Sequence, residues 1–179
     1  FLEKYLVNIK APFSDLFGFW LKINRAWQSG IIHSALSICV SIEGIVKSYF
    51  SDKWMPDKNI LYQAQGATQI IKSMDIGKRI EKYLMSSIGR LNNASPKDIL
   101  YQMVENSTLN NDIVKTWDNF RNKSVHPVKM NKDLIAIQKY INQIDACLTL
   151  FYSLIFIIIK YEGSYTDYSK RGWPEKKFK

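Results

Sequence analysis

Residues Ile31 to Phe50 read I-I-H-S-A-L-S-I-C-V-S-I-E-G-I-V-K-S-Y-F, and this stretch decides the fold class. Ile32, Ala35, Leu36, Cys39, Ile42, Val46 and Tyr49 recur at steps of three and four, the spacing that gathers residues on one face of an α-helix. Gly30 punctuates the chain just before it, so a helix over 31–50 with this stripe in the core is expected. Glu43 breaks the pattern, with Ile42 before it and Ile45 after. Such a carboxylate either lies on the solvated face or turns inward to pair with a cation such as Arg121.

Working outward, Pro12 opens a helix in which Phe13, Leu16, Phe17, Trp20 and Leu21 share a face. On the other side, Ser51 to Gln65 holds Pro56, Asp57 and Asn59 and reads as a loop. Helical pattern returns from Ala67 to Leu84, weakened by Gly77, with Lys72, Lys78, Arg79 and Lys82 as a basic outer face. Ser95 before Pro96 starts a short helix that runs to about Glu105. Asn110 or Asn111 caps the next, which carries Ile113, Val114, Trp117 and Phe120 on one face. Asn131 caps a final helix reaching about Tyr161, ended by Gly163. The segment 163–179 is aromatic, basic and irregular, and residues 1–12 read as the end of an upstream region or linker. No stretch alternates like a strand. The expected class is all-α, a bundle of about five helices over 13–162 with a long C-terminal apolar helix.

The bulk numbers agree with one domain. The chain has 179 residues, 46% of them hydrophobic and 23% charged, enough for a sizeable core and too apolar for disorder. Its net charge of +9, from 25 Lys and Arg against 16 Asp and Glu, favours a polyanionic partner. The longest apolar run, Leu148 to Ile159, is about a dozen residues against the roughly 20 that span a bilayer. A buried helix is the expectation there, with no membrane partner. The chain begins at Phe1 rather than Met and lacks the pattern of a signal peptide, so one domain of a longer protein is the expectation. Cys39 and Cys147 have no metal-ligand spacing and read as buried free thiols in a reducing compartment, a disulfide being the alternative. His33, flanked by apolar residues, reads as a satisfied core or interface histidine. There is no Gly-rich phosphate loop, no H-E-x-x-H and no Cys, His and carboxylate cluster, so neither cofactor nor metal is expected.

The chemistry concentrates in Trp117 to Pro127, W-D-N-F-R-N-K-S-V-H-P. Arg121 can hold a phosphate with two parallel hydrogen bonds, and His126, one of two histidines in the chain, titrates near neutrality and can carry protons. Asn122 follows the arginine directly. Five positions on a regular helix amount to roughly 140° of rotation, so Arg121 and His126 converge only if the helix breaks between them. Pro127 disfavours a helical conformation at His126 and supplies the break.

In these residues the chain resembles a HEPN domain, the helical "higher eukaryotes and prokaryotes nucleotide-binding" superfamily. Active members carry an arginine, then Asn, Asp or His, then three to five residues, then histidine, and R-N-K-S-V-H follows that pattern. The likeness is to the ApeA-like type of bacterial antiphage proteins. It rests on S-I-E-G-I-V in 41–46, on W-D-N-F-R-N-K-S-V-H-P, and on L-F-Y-S-L-I-F-I-I-I-K-Y-E-G-S-Y-T-D-Y in 150–168. The resemblance implies a cytoplasmic, metal-independent endoribonuclease acting on cellular RNA, tRNA among the candidates. It also implies a homodimer with two copies of the motif in one cleft, and a sensor in an N-terminal part of the same protein. His126 would transfer the proton, Arg121 clamp the phosphate, Asn122 orient either group and Glu43 stand as the nearby acid; Lys123 and Lys129 would bind RNA. A tyrosine two positions after the histidine marks HEPN toxins paired with nucleotidyltransferase antitoxins, and Val128 stands there instead. Two other readings remain: a non-catalytic HEPN module that binds nucleic acid or dimerises, and a helical interaction domain whose trio is a C-cap cluster.

Overall fold

Among the described residues seven α-helices follow one another along the chain: α1 Asp15–Gln28, α2 Ile31–Phe50, α3 Lys58–Ser73, α4 Lys78–Gly89, α5 Pro96–Glu105, α6 Asn111–Val125 and α7 Leu134–Ile158. A two-stranded sheet, β1 Gly163–Thr166 and β2 Glu175–Phe178, closes it. The computed structural model describes residues 15–125 and 133–178, without the side chains of Asn92, Lys123 and Val125. The class is all-α. Phe13, Asn131 and the helix start at Pro12 lie outside the described residues, and the N-cap position of α7 is Asp133.

Helix starts follow local chemistry. Gly30 takes φ 102°, a left-handed backbone that glycine adopts without strain, and α2 begins after it. The Asp57 carboxylate accepts the Asn59 N–H at 2.8 Å, Asn110 Oδ1 accepts the Asp112 N–H at 2.7 Å, and Ser95 with Asp98 forms a reciprocal capping box at α5. The Asp57 cap explains why the expected loop over 51–65 is half helix. Likewise, the single helix expected over 67–84 is two, because the chain turns extended at Met74 and again at Gly77 before α4 begins.

Helices α2 and α7 form the centre. α2 packs against α1, α5, α6 and α7, and α7 also packs along α6. Their shared core includes Ile38, Cys39, Ile42 and Ile45 from α2, Trp117 and Phe120 from α6, and Cys147, Leu150, Phe151 and Leu154 from α7. Losing a core aromatic such as Phe120 to alanine costs about 3–5 kcal/mol. The stripe on α2 is rotated from the one expected: Ile32 (48% exposed) and Leu36 (39%) lie outside, and Ile38 and Ile45 take their place. Phe17 and Trp20 of α1 are also exposed, stacked on each other with ring centroids 5.9 Å apart. Gly44 lets α1 approach, since a Cβ there would meet the Phe19 ring at 2.4 Å.

Ile31–Lys53 and Leu134–Ile158 are both long and apolar enough to cross a membrane. The dozen-residue apolar run thus sits in a 25-residue helix, so length gives no ground for setting a span aside.

The C-terminal segment is ordered rather than irregular. β1 and β2 pair antiparallel, Gly163 with Phe178 through Thr166 with Glu175. Phe156 of α7 packs on Phe178 (5.2 Å) and on Tyr165 (5.7 Å), so the hairpin lies on the helix through its aromatic rings. Helix α7 ends before Gly163: Lys160 takes the left-handed conformation at φ 51° and the Tyr161 N–H closes back to the Phe156 carbonyl at 2.9 Å.

Candidate functional site

Glu43 and Arg121, 78 positions apart in the chain, meet. Helix α2 presents Glu43 one turn beyond the buried Cys39, and the last turn of α6 presents Arg121 directly after the buried Phe120. Arg121 Nε donates to Glu43 Oε1 in a salt bridge, and Arg121 Nη1 donates to Asn122 Oδ1 at 3.3 Å. Of the two readings left open for Glu43, the pairing with Arg121 is the one present. The Glu43 side chain is 19% exposed and that of Arg121 41%, so the pair stands at the surface with its acid half sheltered. The hydrogen bond to Glu43 raises the Arg121 pKa above its ordinary value, against the lowering effect of burial. The guanidinium therefore stays charged.

Beneath the pair the side chains are buried. Trp117 is 1% exposed, and among the described residues its indole N–H has no hydrogen-bond partner. Phe120 meets the Tyr140 ring of α7 edge-on, centroids 4.9 Å apart. The Ser124 hydroxyl donates to the Phe120 carbonyl at 3.0 Å, and burial pushes the Tyr140 phenol up while its hydrogen bond with Ser124 opposes this. Cys39 and Cys147 are free, buried thiols in contact across α2 and α7; the Cys39 hydrogen bond and burial hold the Cys147 thiol up. Lys97 ties the start of α5 to α6 through Asp118 at 2.7 Å, a contact with no signature in the sequence.

His126 and Lys129, together with Pro127, lie outside the described residues, as does the Lys123 side chain. His33 is exposed rather than core, its Nδ1 3.0 Å from the Ser29 carbonyl. The basic residues Lys72, Lys78, Arg79 and Lys82 are exposed but are divided between α3 and α4. Among the described residues no three His, Cys, Asp or Glu side chains gather as a metal site.

A guanidinium held at Nε by a carboxylate and at Nη1 by an amide has a fixed plane, and its other N–H donors remain for an anion. Comparison with family models, with curated proteins and with solved structures finds no match.

Proposed function

We propose that the chain is a HEPN-type, metal-independent endoribonuclease domain of a bacterial antiphage defence protein, acting in the cytoplasm on cellular RNA. The observation that carries this reading is the Glu43–Arg121–Asn122 chain of contacts at the end of α6. It holds a phosphate-binding group in one orientation directly beside the residues that lead to His126.

In the reaction, His126 takes the proton from an RNA 2′-hydroxyl, whose oxygen bonds to the adjacent phosphorus. The bond from phosphorus to the 5′ oxygen breaks, and that oxygen receives a proton, leaving a 2′,3′-cyclic phosphate and a 5′-hydroxyl. Arg121 holds the non-bridging oxygens as charge develops on them, Glu43 fixes Arg121, and Asn122 orients the clamp. One histidine cannot be base and acid at the same instant, so a second copy of the chain supplies the other role. An exposed apolar stripe supports that reading. At 100° per residue, Ile32, Leu36 and Val40 share a face of α2 with Glu43, and all three apolar side chains are exposed.

The test is cleavage of total tRNA and mRNA with mapping of the cut ends. His126→Ala and Arg121→Ala each lower the rate by about 10²–10⁴-fold, the usual scale for a lost proton carrier or charge stabiliser, with the dimer intact. A His126→Ala protein that cuts at the wild-type rate sinks the assignment. RNA binding without cut ends replaces it with the non-catalytic module.

A further inference from the structure

A second chemistry-bearing surface lies across α7. Loop 167–174, joining β1 to β2, folds over that helix and encloses a groove of about 790 Å³. The loop is pinned from within. Asp167, 2% exposed, accepts the Ser169 N–H at 3.0 Å and the Ser169 hydroxyl, and pairs with Lys176 at 2.6 Å. Its tip is strained, with Gly172 at φ 79° and Trp173 at φ 48°, both left-handed. A tryptophan in that backbone region is an outlier, and this one is 57% exposed, so no core packing accounts for it.

The groove walls are chemically specific. Trp173 meets Tyr168 at 5.8 Å, inclined by 66°, and shares the groove lining with Asp145. From α7, Gln138, Asn142 and Asp145 line the other side. Gln138 Nε2 donates to Asn142 Oδ1 at 2.8 Å, so the donor end of the Asn142 amide is the one offered to a ligand. Lys170 and Arg171 add positive charge to the lining.

We propose that this groove binds an unpaired guanine of the RNA substrate, stacked on Trp173 with its Watson–Crick edge on Asp145 and Asn142. The proposal rests on the ribonuclease reading for the RNA itself. Aromatic side chains stack any unpaired base, and edge contacts then choose among them. Guanine presents two adjacent N–H donors, matched by a carboxylate, beside an oxygen acceptor, matched by the amide donor. Adenine and cytosine turn an acceptor nitrogen toward the carboxylate, and uracil offers it a single donor. Lys170 and Arg171 meet the flanking phosphates. The placement suits a substrate that continues to Arg121. Tyr140 lies between Gln138 and Asn142 in sequence but on the opposite side of α7, against Phe120, so a strand bound in the groove reaches the Arg121 end of α6 by passing around α7, about 10–12 Å across.

The test is fluorescence anisotropy with labelled 2′-O-methyl hexamers of uridine carrying one central G, A, C or U. Lacking a 2′-hydroxyl, they report binding apart from cleavage. The G hexamer binds tightest; Trp173→Leu weakens it about tenfold, the scale of one lost stack; Trp173→Phe, which guards against a misfolded loop, restores most of it. Asp145→Asn abolishes the preference for G. A Trp173→Leu protein that is folded by circular dichroism and binds like wild type overturns the proposal, as do four hexamers binding alike or not at all. Free GMP binding as tightly as the hexamer would make the groove a mononucleotide site and overturn the RNA assignment. A protein that binds the hexamers as expected but cuts no RNA supports the groove and sinks the nuclease reading alone.

Discussion

Glu43 takes Arg121 by its Nε and leaves the terminal nitrogens, one of them shared with Asn122. Its contribution is to position the guanidinium. Because Arg121 is 41% exposed, the pair adds less than about 1 kcal/mol to stability. The expected outcome for Glu43→Gln is therefore a melting temperature close to wild type with RNA cleavage reduced about tenfold to a hundredfold, since a clamp that wanders by an ångström forfeits that much. Thermal melts and initial rates on the same preparation check it, and an unchanged rate rules out the positioning role. This contact was half legible in the sequence. An acid inside an apolar helix must be solvated or paired, and Arg121 was the cation to hand. Gly44 was not legible, because its role depends on where the Phe19 ring of α1 lies.

The hairpin is held to α7 by aromatic rings, and its own loop is tied together by Asp167. Burial alone would raise the Asp167 pKa; hydrogen bonds from Lys176 and Ser169 outweigh it and leave the carboxyl below its ordinary 3.8. A depressed folded pKa means stability fully present above the unfolded value, near pH 3.8, and lost as pH falls through the lower folded value. Asp167→Ala should therefore cost about 1–3 kcal/mol at neutral pH and flatten the acid limb of the stability curve. Urea titrations between pH 2 and 6 measure this, and parallel curves for the two proteins would contradict it. Helices with clear start signals were readable from sequence: the caps Ser95 and Asn110 and the left-handed Gly30 each mark a start. The hairpin was not, since its four-residue strands are too short to show a period and are specified by tertiary contacts of Tyr165 and Phe178 with Phe156 of α7. The split between α3 and α4 was missed for a related reason. Gly77 weakens a helical pattern without saying whether the chain bends or stops.

At the scale of the molecule, Ile32, Leu36 and Val40 form an exposed apolar stripe on the Glu43 face, and the proposed dimer predicts that it is the seat of the second copy. Leu36→Asp should turn the dimer into a folded monomer and abolish cleavage while leaving Arg121 in place. Analytical ultracentrifugation beside the cleavage assay tests this, and a monomer that still cuts would show the dimer to be dispensable. A different consequence follows from the arm formed by α3 and α4. These helices pack chiefly on each other and on the turn at Arg90–Asn92, and Ala64 is their one buried residue. Hydrogen–deuterium exchange should resolve the chain into two cooperative units. The arm's amides exchange through a separate, low-energy opening, while those of α2 and α7 exchange only when the whole core unfolds. Equal protection in both would mean that the arm melts with the core.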